Sequence, residues 1–348
     1  MKYKLLAVED CEEINIGDYI QAVAASQFLP SIDGFVQREH LDEYDEEEAK
    51  VIMNGFFMHY PDHWPPSNKI HPLYVSFHIN SATKETMVKE DGINHFKKYA
   101  PIGCRDLLTK QLLNSKGIDA YFSGCLTLTL GEKYKSSNKK DVCYFVDPYF
   151  KGNWSHIGLI NNLAYYLIHK KFVDLISNSI SLPYPFQKIE KGLRKKLRVV
   201  DFCREYSKFF TKETLIKAVY ITHESKKYKT IFKTDKERLH EAERLIKLYA
   251  EAKLVVTSRI HCALPCLGLG TSVIYVENNN QASWSSCRLD GLRELFNRMI
   301  WEKGVLKRDF NINGLIEKTN SPVNKNKWEA LSIELKNKVQ IFVQKTEL

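Results

Sequence analysis

The segment 253–276 carries the residue types best suited to binding an anion. Its apolar run predicts a buried parallel strand, Ser258 a helix N-cap after it, and residues 259–269 the helix that follows. Arg259 and His261 then lie in the first helical turn, where cations oppose the helix dipole. Together with backbone N–H groups, a guanidinium and an imidazole in this place would bind a phosphate or carboxylate. The alternative is structural, with Arg259 paired to a nearby carboxylate and His261 bonded within the fold.

A second polar segment, 13–21, follows the first predicted strand. Asn15 is expected to cap the helix that begins there, and Gly17 to allow a close backbone approach. Asp18 falls in the first turn of that helix. Two roles are equally open for its carboxylate: a base or hydroxyl-binding group, or a capping-box residue favoured by the helix dipole.

Other strand ends also carry polar residues. Arg105 follows the predicted strand 102–104 and either points toward a cleft or forms a structural ion pair, while Asp106 is expected to cap the next helix. His78 and His223 end strands in opposite halves of the chain. Each alone is more often a structural histidine than a catalytic one, and together they gain modest weight as site residues.

Motifs for metal, disulfide and nucleotide chemistry are missing from the sequence. The eight cysteines contain no CxxC pair, so reduced core thiols are expected rather than zinc ligands or disulfides. No GxGxxG, GxxxxGK[ST] or GxSxG sequence is present, so the common dinucleotide, P-loop and α/β-hydrolase signatures have no support. His59, His63 and His71 lie in a Pro- and Trp-rich loop that is either a lid over a substrate or surface packing, and no metal site is expected.

Short apolar runs alternate with amphipathic segments, which is the pattern of βαβ units. In the first half the predicted strands are 5–8, 34–37, 51–54, 73–78, 102–104 and 120–122. In the second half they are 142–146, 218–222, 254–257 and 272–276, with a long helix at 236–252. We therefore expect an α/β protein with two open parallel sheets that face each other across a cleft. The functional residues should lie in this cleft, because ligands gather at the carboxyl ends of such strands.

A polar, basic stretch at 131–141 separates the two halves. It predicts an N-terminal domain at 1–137 and a C-terminal domain at 138–322, the latter with a helical insertion at about 150–215. The last segment, 323–348, repeats apolar residues at helical spacing. It is predicted to form a helix that packs back on the first domain.

The composition is that of an ordinary globular protein. Of 348 residues, 44% are hydrophobic and 27% charged, values that exclude collagen-like, low-complexity and disordered classes. No run of 18 apolar residues is present, and the N-terminus becomes acidic before a signal-peptide core. A soluble cytoplasmic protein is expected. The net charge of +9 favours acidic partners such as phosphorylated small molecules, anionic lipid or nucleic acid.

The sequence resembles the polysaccharide pyruvyl transferase family. The resemblance rests on Asn-Ile-Gly-Asp at 15–18, Val-Ile-Met-Asn-Gly-Phe at 51–56, Gly-Cys-Arg-Asp at 103–106 and above all the segment 252–261, which ends in Thr-Ser-Arg-Ile-His. It extends over about residues 5–300. It implies a GT-B-like fold of two Rossmann-like domains, and transfer of a pyruvyl group from phosphoenolpyruvate to two sugar hydroxyls. The products would be a cyclic ketal and phosphate, and no cofactor is expected.

The resemblance also implies roles for individual residues. Arg259 and His261, with the Ile260 backbone, should hold phosphoenolpyruvate, and His261 should donate a proton or stabilise the phosphate. Asp18 or His78 should accept a hydroxyl proton. The further donor-side residues are Ser258, His223 and Arg288, the last in place of a lysine that many relatives carry after the strand 272–276. The acceptor-side residues are Asn15, Gly17, Asp18, Asn54, Gly55 and Arg105.

The family's acceptors imply one more partner, because relatives act on cell-surface polysaccharides such as exopolysaccharide and capsule, often as lipid-linked precursors. A basic cluster at 188–198 fits either peripheral contact with anionic lipid or a solvated helix face that packs inward. No recognised nucleic-acid module accompanies these charges. Two other functions stay open: a GT-B-like glycosyltransferase with a nucleotide-sugar donor, for which Glu277 is the candidate ribose ligand, and a non-catalytic module that binds anionic glycans.

Overall fold

The computed structural model describes residues 1–8, 14–151, 155–182, 191–278, 289–302 and 304–345. Within these ranges the chain forms two six-stranded, largely parallel sheets flanked by helices. The predicted α/β class with parallel sheets is therefore confirmed. One sheet is built from the first half of the chain and the other from the second half.

The first sheet contains parallel strands only. The strands of this half are β1 (Lys2–Ala7), β2 (Ile14–Asn15), β3 (Phe35–Gln37), β4 (Ala49–Phe57), β5 (Ile70–Ile79), β6 (Ile102–Cys104) and β7 (Ala120–Phe122). The sheet order is β3-β1-β4-β5-β6-β7, and β2 lies apart from it. The central strands β4 and β5 are buried along most of their length, as expected where helices cover both faces of a parallel sheet.

The second sheet is parallel except at one edge. The strands of this half are β8 (Cys143–Val146), β9 (Val219–Ile221), β10 (Glu224–Ser225), β11 (Leu254–Thr257), β12 (Ser272–Asn278), β13 (Asn297–Glu302) and β14 (Val305–Arg308). The sheet order is β14-β13-β12-β11-β8-β9, with β13 and β14 antiparallel. Every predicted strand is found within a few residues of its predicted bounds, whereas β13, β14 and the two-residue strands β2 and β10 were not predicted.

Helices connect the strands and form the predicted insertion. Those of the first half are α1 (Ile16–Ser26), α2 (Lys84–Met87), α3 (Glu90–Lys98), α4 (Leu107–Ser115) and α5 (Gly131–Tyr134), with a 3-10 turn at Leu126–Thr129. Those of the second half are α6 (His156–Ile168), α7 (Lys170–Ser179), α8 (Gly192–Tyr206), α9 (Lys212–Lys217), α10 (Lys226–Ile231), α11 (Asp235–Glu251), α12 (Ile260–Gly268) and α13 (Trp328–Gln344). In its described residues, the insertion between β8 and β9 is helical as predicted and contains α6 to α9.

The two halves share one hydrophobic core. Ile20 of α1 and Leu245 of α11 belong to the same buried cluster, which also contains residues of α12 and α13. The backbones approach closely where Gly268 of α12 meets the 3-10 turn, since a Cβ on Gly268 would stand 2.2 Å from the Leu128 carbonyl oxygen. The halves are thus held by a packed interface as well as by the chain. The predicted divisions at 1–137, 138–322 and 323–348, and the GT-B arrangement, stay predictions.

A short antiparallel ladder also joins the halves. Glu224 of β10 pairs with Asn15 of β2, and the Ile16 N–H donates to the His223 carbonyl at 2.8 Å. Strand β2 immediately precedes α1, and two residues separate β10 from β9. The ladder therefore fixes the start of α1 against the carboxyl end of a strand from the other sheet.

The last helix, α13, returns to the first half of the chain. Ser332 Oγ donates to the Leu128 carbonyl at 3.2 Å, and Lys50 Nζ donates to the Phe342 carbonyl at 3.1 Å. Leu335 and Val339 are buried on this helix. In the described part of the chain, no helix is both long enough and apolar enough to cross a membrane.

Candidate functional site

Polar residues that follow strands of both sheets form the candidate site. Arg38 follows β3 and Arg105 follows β6 in the first sheet, while Asp147 follows β8 and Arg259 follows β11 in the second. Parallel strands present these ends at one edge of each sheet, which is where ligands bind in open α/β folds. Arg105 and the second half meet directly, because Arg105 Nη1 lies 3.2 Å from His261 Nε2.

The contact between Arg105 and His261 fixes the position of a proton. A guanidinium can only donate hydrogen bonds, so the His261 Nε2 must accept and the neutral imidazole carries its proton on Nδ1. Both side chains are buried. Arg105 Nη1 also lies 3.4 Å from the Gln21 Oε1 of α1. In this state His261 presents a lone pair, and not a proton, at Nε2.

Arg259 is held between two carboxylates. Its Nε donates to Asp147 Oδ2 at 2.7 Å, and its Nη1 lies 2.7 Å from Glu224 Oε2. Burial acts to lower the pKa of Arg259, but the two carboxylates outweigh burial and raise that pKa. The ion pair expected under the structural alternative is therefore present. Because a guanidinium has five N–H donors, Arg259 keeps donors for a third partner.

The start of α12 differs from its prediction. Ser258 is not the N-cap: its Oγ accepts from the Tyr149 N–H at 2.8 Å, so it ties β11 to the chain that follows β8. Arg259 occupies the N-cap position with an extended backbone and no side-chain cap bond. The helix is Ile260–Gly268 and not 259–269, which places Ile260 and His261 in its first turn.

Asp18 lies in the first turn of α1, next to the cap that the sequence predicts. Asn15 is that cap, since its side chain accepts from the Gly17 N–H at 3.0 Å. The Asp18 carboxylate instead lies 3.2 Å from Gln21 Nε2 and 3.7 Å from Arg38 Nη1. Burial raises the pKa of Asp18 above its ordinary value, although the charge of Arg38 acts to lower it. The contacts of the Asp18 carboxylate are therefore with Gln21 and Arg38, and its role as a base or hydroxyl-binding group stays a prediction.

Gly17 is the point where α1 approaches α12. A Cβ at this position would stand 2.9 Å from Asn15 Oδ1 and 3.2 Å from His261 Cβ. The close approach predicted for this glycine is therefore confirmed, and His261 is the neighbour that requires it. A side chain at 17 would displace either the helix cap or the imidazole.

His78 near the end of β5 and Asp106 after β6 form a buried pair. His78 Nδ1 lies 2.6 Å from Asp106 Oδ2, while Asp106 Oδ1 accepts from the Thr109 N–H at 2.9 Å and so caps α4 as predicted. Burial acts to raise the pKa of Asp106, but hydrogen bonding and charge from His78, with the charge of Arg105, bring that pKa below its ordinary value. An ionised Asp106 orients His78 with Nδ1 as the donor and Nε2 turned away from the carboxylate.

The remaining sequence-predicted residues fall into three groups. His223 is fully buried with Nε2 2.6 Å from the Tyr249 hydroxyl, and burial lowers its pKa to about 4. Its backbone N–H donates to Asp147 at 2.9 Å, so it supports the carboxylate that holds Arg259.

On the acceptor side, Asn54 Nδ2 donates to the Gln21 carbonyl at 2.8 Å, and Gly55 packs against the Gln21 side chain. Arg288 lies outside the described residues.

Most of the chain matches a known protein family. The polysaccharide pyruvyl transferase family model matches residues 15–280. The chain belongs to the polysaccharide pyruvyl transferase family. The matched region includes the site residues of both sheets, from Asn15 in β2 to Glu277 in β12. No match was found among curated proteins. Membership in this family makes the chain a transferase with a polysaccharide acceptor.

The sequence did not predict several residues that shape the site in this family member. Arg38 faces Asp18, Asp147 and Glu224 hold Arg259, and the Phe56 ring lies 5.7 Å from the His78 ring. Arg38 and Asp147 each follow a strand directly, so the strand-end rule applied to Arg105 and Arg259 would have found them. Glu224 depends on the ladder between β2 and β10, for which the sequence gives no local signal.

The alternative function, a glycosyltransferase with a nucleotide-sugar donor, depends on Glu277 as the ligand of the ribose hydroxyls. That carboxylate is buried and accepts from Arg293 Nε at 2.6 Å and from Arg298 Nη1 at 2.9 Å. Both of its oxygens are therefore committed to guanidinium groups of its own half. Glu277 is thus part of an ion-pair network with Arg293 and Arg298, and its role as a ribose ligand stays a prediction.

One histidine cluster lies in the loops beyond β3 and β4. His40, Glu43 and His63 bring possible ligand atoms within 4.8 Å of one another. His63 Nδ1 also lies 2.9 Å from Asp42 Oδ1, so the groups already form ion pairs when the imidazoles are protonated. All of them are partly exposed. The expectation of no metal site stays a prediction.

Proposed function

We propose that this protein transfers the pyruvyl group of phosphoenolpyruvate to two hydroxyls of a sugar in a cell-surface polysaccharide or its lipid-linked precursor. The observation that carries the proposal is the meeting of Arg105 with His261, two residues from Arg259, at the carboxyl ends of both sheets. Phosphoenolpyruvate carries a phosphate and a carboxylate, and such a donor needs several cationic groups in one pocket.

The proposed reaction balances as follows. A proton adds to the methylene carbon of the donor and makes C2 electrophilic. The first hydroxyl oxygen bonds to C2, the C2–O bond to phosphate breaks with its electron pair on the phosphate, and the second hydroxyl closes the ketal at C2. Of the two hydroxyl protons released, one replaces the proton taken up by carbon and the other goes to the phosphate.

On the donor side, the first turn of α12 and the Arg259 guanidinium bind the anion. The helix start supplies backbone N–H groups at Ile260 and His261 and a positive dipole end. Arg259 is fixed by Asp147 and Glu224, so its remaining N–H donors are aimed before the donor arrives. Ser258 fixes the β11 end through the Tyr149 N–H and acts through that positioning.

His261 changes its protonation when the donor binds. Without donor, Arg105 donates to the Nε2 lone pair. An anion placed between the two groups takes over the Arg105 donor and favours the imidazolium, because a nearby negative charge stabilises the protonated form. The protonated His261 then supplies the proton for the methylene carbon or a hydrogen bond to the departing phosphate.

On the acceptor side, the sugar lies against α1 and the ends of β4 and β5. Asp18 is a desolvated carboxylate with a raised pKa, and His78 is oriented by the ionised Asp106. Either group can take a hydroxyl proton, and the two hydroxyls of the ketal need two such acceptors in succession. Gln21 joins this wall to Arg105 through its Oε1 at 3.4 Å.

Calorimetric titration of phosphoenolpyruvate tests the donor site. We expect saturable binding to the wild type, stronger than that of inorganic phosphate, and at least a tenfold loss in Arg259→Ala, since removing a charged hydrogen-bond donor costs about 1.5–3 kcal/mol. Repeating the titration in buffers of different ionisation enthalpy should reveal proton uptake that disappears in His261→Gln. The matched control is Arg244→Ala, which removes an arginine paired with Glu241 on the surface of α11.

Two outcomes would contradict the proposal. Binding of a UDP-sugar without binding of phosphoenolpyruvate would indicate a nucleotide-sugar glycosyltransferase. Binding of phosphoenolpyruvate with no phosphate release in the presence of acceptor polysaccharide would indicate a module that only binds anionic glycans and their analogues.

A further inference from the structure

Helix α6 turns its apolar side chains outward. The exposed fractions are 73% for Ile157, 68% for Ile160, 41% for Leu163, 66% for Leu167 and 76% for Ile168. These residues recur at helical spacing and therefore share one face of the helix, called here the α6 face. The opposite face is the buried one and carries Gly158, Asn162 and Tyr166.

Polar contacts on the buried side fix this orientation. Asn162 Nδ2 donates to Asp201 Oδ2 at 3.0 Å, and Arg204 Nη1 donates to Asn162 Oδ1 at 3.1 Å. Tyr166 Oη bonds to Asp174 Oδ1 at 3.1 Å. A rotation of α6 that buried its isoleucines would break these bonds and leave the Asn162 amide and the Asp201 carboxylate without these partners. The outward apolar face is thus built into the insertion.

Positive charge lies near the C-terminal end of the α6 face, where it forms a basic rim. The helix contains no Asp or Glu, and exposed Lys170 and Lys171 follow its C-terminus. Lys196 Nζ of α8 lies 3.3 Å from the Tyr166 hydroxyl on the buried side of α6, which brings the start of α8 with its first turn beside the end of α6. Asp174 pairs with both Lys196 and Lys170, so these two cations are partly neutralised. The first turn of α8 exposes Lys191 and Arg194. An apolar helix face with cations at its rim is typical of helices that lie in the interface of an anionic bilayer.

The size and charge of the face argue against a second copy of the chain as its cover. A helix of 13 residues is about 20 Å long and about 10 Å wide, so it offers roughly 200 Å². A stable protein interface buries roughly 800 Å² on each partner. Two copies related by symmetry would also bring the lysines of one rim against those of the other. A bilayer has neither restriction.

We infer that the α6 face and its basic rim dock this protein on an anionic lipid bilayer. The isoleucine and leucine side chains enter the boundary between headgroups and acyl chains, and the rim cations contact lipid phosphates. From the sequence, the basic segment 188–198 fits either lipid contact or a solvated helix face that packs inward, and its residues 188–190 lie outside the described residues. In the structure Leu197 is partly buried and Val199 and Val200 fully buried, so α8 packs inward and supplies charge while α6 supplies the apolar surface.

Co-sedimentation with vesicles tests this inference on the full chain. The vesicles contain phosphatidylcholine alone or phosphatidylcholine with phosphatidylglycerol. We expect binding to the anionic vesicles that weakens with added salt, and a roughly hundredfold lower partition coefficient for I157S/I160S/L167S. The matched control is I333S/I341S, which removes two equally exposed isoleucines from α13. It should bind like the wild type.

A charge-reversal variant, K191E/R194E, keeps the experiment decisive if the serine variant does not fold. It leaves every buried residue in place and should lose binding to anionic vesicles only. Equal sedimentation of wild type and variants, or no sedimentation with either vesicle, would overturn the inference. So would a concentration-dependent dimer in light scattering that I157S/I160S/L167S abolishes, because a second copy would then cover the α6 face.

Discussion

The substitution Asp106→Asn moves the proton on His78 with almost no change of shape. Asp106 accepts from His78 Nδ1 at 2.6 Å through Oδ2 and from the Thr109 N–H at 2.9 Å through Oδ1. An asparagine keeps an oxygen for Thr109, so the α4 cap survives. Its amide nitrogen can only donate, and the imidazole must answer with a lone pair at Nδ1 and the proton at Nε2. His78 then cannot accept a hydroxyl proton at Nε2.

The size of both effects follows from burial and charge. His78 and Asp106 are almost inaccessible to water, so the loss of a hydrogen bond to a charged group should lower the free energy of unfolding by about 1.5–3 kcal/mol. If His78 is the general base, turnover should fall by roughly 10²–10⁴-fold. Binding of phosphoenolpyruvate should change little, because Arg105 keeps its contact with His261.

The assay is phosphate release from phosphoenolpyruvate in the presence of acceptor polysaccharide, with urea unfolding as the measure of stability. Thr109→Ala is the matched control, since it removes the Thr109 Oγ1 bond to Asp106 at 3.0 Å but leaves the carboxylate in place. It should stay within a few-fold of wild-type turnover. A folded Asp106→Asn protein with near-normal turnover would refute the role of His78 and leave Asp18 as the proton acceptor.

Other predictions follow from the titrating groups and the histidine cluster. Asp18→Asn should raise the melting temperature of the ligand-free protein at neutral pH and lower turnover. Burial raises the pKa of the Asp18 carboxyl, so the stability that its protonated form contributes is complete at low pH and is lost as the pH rises through that pKa. A melting temperature that falls at neutral pH would contradict this sign. Burial lowers the pKa of His223 to about 4. The neutral imidazole therefore contributes about 3 kcal/mol to the free energy of unfolding above about pH 6.5, and this contribution is lost as the pH falls toward 4. His223→Gln should flatten that part of the stability curve. Dialysis against EDTA should leave turnover unchanged, whereas a loss restored by zinc would make His40, Glu43 and His63 a metal site.

The strand positions could be predicted because parallel strands leave a strong local signal. A fully buried strand such as β11 reads as an unbroken apolar run, and turn and cap residues mark where it ends. The strand β13 alternates buried and half-buried residues and carries Asn, Arg and Glu, so its sequence does not stand out. The ladder of β2 and β10 has two residues on each side and forms only between halves, so no local pattern announces it.

The candidate site could be predicted in part for a related reason. Strand-end position and residue type identify Arg105, Arg259 and His261 from the sequence. Which groups they contact depends on how the two halves meet, and this is information of tertiary structure. Ser258 shows the same limit: it has the residue type of an N-cap, but the Tyr149 N–H from another strand end uses its oxygen. A residue's local preference for a helix cap is therefore not realised when a hydrogen-bond donor from another part of the fold occupies its side chain.

The ladder between β2 and β10 links the two sides of the site mechanically. Glu224 and Asn15 face each other across it, and Glu224 also holds Arg259 while Asn15 begins the helix that carries Asp18. Because Asp147 and Glu224 keep Arg259 in place, the strand pairing sets the position of the guanidinium relative to the start of α1. Two side chains that lie far apart in the sequence therefore depend on the same four-residue pairing, and a substitution that breaks this pairing should displace both together.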